Sequence, residues 1–201
     1  MDEAVIRAMR KWPDVPAVSG WLSLDHAGRW RHHPRGDALQ HPPTSGELIT
    51  HAGLLDFLNR NYQADEQGRW YVQNGPQKVF VRLDGAPLVL HLAPDGAHLQ
   101  DQAGLLVEQV LAWYLSAQGW LYLQTQRGPA LLAGRDLPAL ADQLHDGRGR
   151  GLGDLDTGRP QRSEGWRTSA YPSPRPLVIW PAAVSPAREL AYIAFPETDP
   201  I

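Results

Sequence analysis

The sequence predicts a mixed α+β protein built from two related, β-hairpin-rich units, an internal repeat in which each unit is a small antiparallel sheet with one helix. Two observations carry this. A polar turn that ends in Gly and opens onto an aromatic or apolar residue recurs, as Leu24-Asp25-His26-Ala27-Gly28-Arg29-Trp30, as Ala64-Asp65-Glu66-Gln67-Gly68-Arg69-Trp70, and in reduced form around Gly96 and Gly119. Apolar alternation on both sides of such a turn marks a β-hairpin. In addition, Trp70-Tyr71-Val72-Gln73, Asn74-Gly75-Pro76 and Val79-Phe80-Val81 are echoed in the same order by Trp120 to Gln124, Arg127-Gly128-Pro129 and Ala130-Leu131-Leu132. Two matching turns in one order signal duplication. The expected organisation is an N-terminal helix and lead-in over 1–16, one unit over 17–87, and a second over 88–201.

Taken in order, Glu3 to Lys11 carry a partial apolar stripe and predict a helix that Trp12-Pro13 ends. Gly20 to Leu24 form the first strand, and the Asp25 to Gly28 turn returns the chain through Arg29 to His33. Pro34-Arg35-Gly36 and Pro42-Pro43 mark a loop. A helix follows, capped at Thr44 or Ser45 with Glu47 completing a capping box, or starting later at Thr50, since Gly53 weakens its middle. Strands are expected at Trp70 to Gln73 and Lys78 to Leu83, joined by the Asn74-Gly75 turn. In the second half, Leu88 to Leu92, Trp120 to Gln124 and Ala130 to Leu132 read as strands, while Leu105 to Leu115 fits strand or helix. Leu137 to Leu144 predicts a helix with Asp136 as N-cap and Pro138 in its first turn. Residues 145–176, opened by Gly147-Arg148-Gly149-Arg150-Gly151, read as an irregular loop or linker. Two apolar runs, Leu177 to Trp180 and Leu190 to Phe195, then read as a C-terminal strand pair.

Composition bounds the function classes. A chain of 201 residues, 42% hydrophobic, can bury a real core. It has no cysteine, which excludes disulfides and thiolate metal sites. The N-terminal stretch lacks the apolar core of a secretory signal and no run reaches membrane-spanning length, so a soluble cytoplasmic protein is expected. A net charge of -3 gives no global field toward nucleic acid or acidic membranes.

Residues Gly28-Arg29-Trp30, the helix holding Leu54-Leu55-Asp56-Phe57, Gly68-Arg69-Trp70-Tyr71-Val72, Pro76, Val79-Phe80-Val81, Asp84 and Ala86-Pro87-Leu88-Val89 follow one order. That order resembles the uncharacterised proteobacterial family called domain of unknown function 1285, or a sister family, over about Trp21 to Val89. The resemblance implies a pair of similar small α+β units and a role in binding or signal transduction, and it brings no catalytic residues.

His32, His33, His41 and His51 suggest a metal site, yet neighbouring strand residues face opposite ways and no His-Glu-x-x-His spacing exists, so solvent-exposed histidines are the expectation. Asp25 and Asp65 suggest paired carboxylates, but Asp at such turns ordinarily binds nearby backbone. Arg29 to Arg35 is basic with an aromatic, as single-strand platforms are; the repetition of Trp30 at Trp70 and Trp120 points instead to packing, so nucleic acid is disfavoured. The expected function is a non-enzymatic binding or regulatory module for a protein or small-molecule partner. His32, His33, Arg35 and Trp166 form the candidate surface, no catalytic, metal or cofactor site is assigned, and a homodimer through a free sheet edge is compatible. The alternative is a small hydrolase or metal-dependent enzyme with its site between the repeats, using Asp65, His91 or His98.

Overall fold

A computed structural model describes residues 1–157 and 159–196; Gly158 and the last residues of the expected second unit, 197–201, lie outside them. The fold is mixed α+β with a six-stranded and a seven-stranded sheet. The chain divides into two compact units, the first comprising Met1–Gly85 and the stretch that begins at Ala191, the second Ala86–Leu190.

The first unit opens with helix α1 (Glu3–Lys11), whose preceding Asp2 side chain accepts from Arg60 Nε at 3.0 Å and from Asn61 Nδ2 at 3.2 Å. Strand β1 (Val18–Leu24) turns at Asp25 into β2 (Trp30–His32), which pairs with the two-residue β3 (Glu47–Leu48). Helix α2 (Ala52–Arg60) leads to the meander β4 (Tyr62–Ala64), β5 (Trp70–Asn74) and β6 (Gln77–Leu83). The strand order is β3-β2-β1-β6-β5-β4, with β1 and β6 parallel at the centre. Trp30, Tyr62 and Trp70 form an aromatic cluster, with Trp30 and Tyr62 edge to face at 5.0 Å and Trp30 Nε1 donating to Asn59 Oδ1 at 2.8 Å.

The expected helix start at Thr44 or Ser45 is corrected. Glu47 and Leu48 are spent on pairing with His32 and Arg31, and the helix begins at Ala52 with the His51 ring, through Nδ1, accepting the Leu54 N–H at 3.2 Å. Pro43 and Thr44 occupy a β-turn closed by the Ser45 N–H on Pro42 O at 3.3 Å, and Thr44 sits at φ 64, outside any helix.

The second unit pairs β7 (Leu88–Leu92) with β8 (Leu99–Gln100), then builds the meander β9 (Val110–Leu115), β10 (Leu121–Thr125) and β11 (Gly128–Leu132), with β11 parallel to β7. Leu105 to Leu115 thus resolves as an approach followed by a strand. Helix α3 (Leu137–Ala141) is shorter than expected, and the Asp136 side chain faces His91 at 3.1 Å in place of capping it. Strands β12 (Gln161–Trp166) and β13 (Arg175–Ile179) extend the sheet beyond β9, before the short helix α4 (Pro186–Glu189).

The second half departs from expectation in its loop, its last apolar run and its helices. The expected loop over 145–176 contains β12, and its Gly-Arg run is a turn like the others: the Asp146 carboxylate accepts the Arg148 and Arg150 N–H groups and pairs with Arg150 Nε at 2.8 Å. The run Leu190 to Phe195 is no strand partner of β13. It returns to the first unit, where Ile193 N–H donates to Gly68 O at 3.0 Å and Leu83 N–H to Ala194 O at 2.8 Å. Apolar content alone cannot tell docking from pairing. Nor are the sheets antiparallel throughout, since β1 with β6, β11 with β7 and β13 with β9 pair parallel, and the second unit holds two helices, α3 and α4, where one was expected.

The repeated turn has a physical device at its centre. Asp25 Oδ1 accepts the Ala27 and Arg29 N–H groups, and its Oδ2 pairs with Arg29 Nε and Arg31 Nε, each at 2.9 Å. Asp65 does the same with Gln67 and Arg69, the latter ion pair at 2.7 Å. Gly28 and Gly68 occupy φ of 75 and 78, a region closed to most side chains. Each phrase therefore encodes a self-contained Asx turn with its own ion pair.

Candidate functional site

Strand β1 carries the irregularity that shapes the first unit's surface. Val18 is opposite Val79 while Leu22 is opposite Val81, so five residues on β1 span three on β6. This bulge raises Gly20 to φ 85, where an added Cβ would lie 2.0 Å from Gly36 O, so only glycine fits. It also turns Trp21 outward, leaving the indole 41% exposed, stacked on His32 at 6.5 Å and resting against Gly36.

Beside the bulge an open groove of about 780 Å³ runs between the sheet face and helix α2. Val18, Trp21, Leu22, Val72 and Val79 line it from the sheet, Leu54, Phe57 and Leu58 from the helix, and Leu48 and Ile49 from β3 and the chain that follows. Trp21, Leu48 and Leu54 remain more than 40% exposed, an uncovered apolar patch in one place. Glu47, His32, Thr50, His51, Asn74 and Gln77 supply the polar part of the lining.

Directly before the β3 wall of the groove, which β2 holds by strand pairing, residues 34–46 form a strap that crosses a buried polar cluster. Arg82 and Asp84 form an ion pair at 2.8 Å with both side chains fully buried. The Arg82 guanidinium donates to the carbonyls of Ala38 and His41. Asp84 Oδ2 accepts the Thr44 N–H at 2.6 Å, which holds the strap's left-handed residue. His33, 2% exposed, shares a hydrogen bond with Ser23 Oγ at 2.9 Å, and Gly46 packs directly on its ring. Burial, aided by the Arg82 charge, pushes His33 below its ordinary 6.5, against the opposing pull of Asp37 and Asp84.

The candidate surface of the sequence reading is dispersed. His32 lines the groove. His33 is buried beneath the strap and Arg35 is exposed, paired with Asp37 at 3.1 Å. Trp166, expected as an exposed anchor, is fully buried: β12 pairs with β13 and turns its indole into the core of the second unit. The residues of the enzymatic alternative are each engaged locally, Asp65 in its turn, His91 with Asp136, and His98 with Asp95 at 2.6 Å. Among the described residues no three His, Asp or Glu side chains converge to hold a metal ion, and no helix is long and apolar enough to cross a membrane. The groove was missed because its lining comes from several elements; the exposed Trp21 next to a strand glycine was its one sequence signal.

The class defined here is a two-unit, two-sheet α+β protein. The chain belongs to the family described as "Protein of unknown function (DUF2946)", whose model matches residues 1–173. Among solved structures it is similar to a DUF1285 family protein from Silicibacter pomeroyi DSS-3, with TM-score 0.50 and 15% identity over 85% of this chain and 86% of that one. A DUF1285 family protein from Shewanella baltica OS155 also matches, with TM-score 0.38 and 18% identity over 60% of this chain and 87% of that one. The resemblance expected from the sequence is thus shown, and at these identities the Silicibacter protein speaks for the fold alone. No curated protein matches.

Proposed function

We propose that this protein is a non-enzymatic binding module whose site is the groove of the first unit, and that its ligand is a small, elongated, largely apolar molecule. The observation that carries this is the groove itself. Its volume of about 780 Å³ falls within the ~300–1,000 Å³ typical of small-molecule sites. Its walls are mostly aliphatic and aromatic, and Glu47 is the one Asp, Glu, Lys or Arg in the lining, which suits an uncharged body. His32, Thr50, His51, Asn74 and Gln77 offer partners for a polar end. The occupant gains by covering Trp21, Leu48 and Leu54, at ~25 cal/mol per Å² of apolar surface removed from water.

The test is a fluorescence titration with the neutral probe N-phenyl-1-naphthylamine, followed by displacement with straight-chain alcohols of increasing length. Saturable binding that Leu54→Glu abolishes and Leu106→Glu leaves intact is expected; both leucines are exposed, but only Leu54 lines the groove. Absence of saturable binding, or equal loss in both variants, refutes the reading.

We further infer that the two units are copies of one ancestral unit. Support comes from strand order and direction. The first sheet reads β2-β1, then β6 parallel to β1, then β5-β4; the second reads β8-β7, then β11 parallel to β7, then β10-β9. Each begins with a hairpin, continues with a three-stranded meander, and returns its last strand beside its first. On this reading β3 with α2 and β12 with β13 are what each copy added.

A further inference from the structure

We propose that residues 34–46 are a pH-sensitive strap: with His33 neutral the strap is latched, and protonation of His33 releases it together with the β3 wall of the groove. The ring is buried at the side of a small cleft that it lines with Arg35, Asp37, His41 and Ser45. It is 2% exposed, its Nε2 is engaged with the fully buried Ser23, and the backbone of Gly46 lies so close that an added Cβ would be 2.7 Å from the ring. The charged and titratable groups facing it are Arg82 and Asp84 from the end of β6, and Asp37 and His41 from the strap. They do not offer a free counter-charge. Asp84 is spent on Arg82 and the Thr44 N–H, and Asp37 on Arg35 and His41. A protonated ring is therefore added beside the Arg82 guanidinium in a buried site, which disfavours the closed state.

The strap is built to give way as a piece. Its backbone is tied to the sheet through side chains, with Arg82 donating to Ala38 O and His41 O, Arg31 Nη1 donating to Gly46 O at 3.1 Å, and Asp84 accepting the Thr44 N–H. Thr44 at φ 64 is held in a conformation unfavourable for a branched residue, so release also relieves strain. Directly after Gly46 come Glu47, Leu48 and Ile49, which line the groove. The consequence for ligand binding rests on the function proposed above; the release does not.

The experiment uses the full chain labelled with 5-fluorotryptophan, with the Trp21 resonance assigned through Trp21→Phe, because Trp21 rests against strap residue Gly36. Histidine Cε1–H and fluorine signals are followed together as pH falls. The expected result is a His33 midpoint below 6.5, a Trp21 shift with the same midpoint, and loss of that shift in His33→Gln, which keeps a hydrogen-bonding group without the charge. Should His33→Gln not fold, His32→Gln decides: the Trp21 midpoint is expected to persist there, although His32 stacks on the indole. A Trp21 signal that stays flat through the His33 titration, survives in His33→Gln or vanishes in His32→Gln overturns the proposal. Probe affinity measured at the same pH values separates the two readings. Strap release with unchanged affinity overturns the groove as binding site and leaves the strap standing.

Discussion

Replacing Arg82 by Ala is expected to be among the most damaging single changes available in the first unit. Arg82 and Asp84 are both fully buried, and the guanidinium also satisfies the carbonyls of Ala38 and His41 and reaches Ser45 Oγ at 3.4 Å. Truncation leaves Asp84 as a buried carboxylate held by the Thr44 N–H, and breaking such a pair by removing one partner costs about 3–5 kcal/mol. The orphaned carbonyls would each cost ~1–3 kcal/mol if they stayed dry, but strap movement lets water reach them, so the terms do not add. The expected loss is therefore about 3–5 kcal/mol, a large share of the ~5–15 kcal/mol that holds a typical domain. Urea denaturation followed by tryptophan fluorescence reads it as a midpoint drop of roughly 1.5–2.5 M at an m-value of about 2 kcal/mol/M. The Arg82→Met, Asp84→Leu double variant is expected to recover much of the loss, since an apolar pair leaves no uncompensated charge. A loss below about 1 kcal/mol for Arg82→Ala, or a double variant that is the sum of the singles, would refute the claim that these groups act as one buried unit.

Other changes test other levels of the fold. Trp166→Ala should destabilise the protein by about 3–5 kcal/mol in thermal or urea unfolding, because it empties a fully buried site. A stable Trp166→Ala variant would contradict that burial. The turn carboxylates give an acid limb: burial raises Asp25 and Asp65, but their N–H and arginine partners outweigh it and hold both below 3.8, and the exposed Asp95 is held at about 2 by the Ala97 and His98 N–H groups. Because the folded state releases these protons more readily than the unfolded chain, their stabilisation is present above about 3.8 and is lost as pH falls through the folded values. Asp25→Asn should shallow that acid limb and cost about 1.5–3 kcal/mol at neutral pH, measured by urea denaturation across pH 2–7. An unchanged acid limb would count against the turn device.

His33 acts in the same direction, in a higher pH window. A histidine whose folded value is lowered contributes stability that is present above 6.5 and declines as pH falls below it, since the unfolded chain takes up the proton first. Acid therefore weakens the first unit in two stages, the strap before the turns.

The sequence by itself determined what is local. An Asp-x-x-Gly-Arg phrase closes on itself, since acceptor, donors, glycine and counter-ion lie within five residues, and so Asp25 and Asp65 could be read as turns and the strands beside them as hairpins. The same phrase at Asp146 went unread because the surrounding Gly and Arg resemble a linker in composition. Tertiary structure decided whatever depends on residues distant in sequence. Glu47 and Leu48 could have opened a helix, but pairing with β2 and the hold of Asp84 on Thr44 drew them into a strand. His33 and Arg35 look alike in sequence as polar loop neighbours, yet one is sealed under Gly46 and the other faces water. Trp166 looked exposed in a polar run and is buried, because β13, nine residues further on, supplies the partner that turns it inward. The groove belongs wholly to this second kind: a bulge at Gly20 and a helix begun at His51 jointly leave apolar side chains uncovered, and no short stretch of sequence contains both.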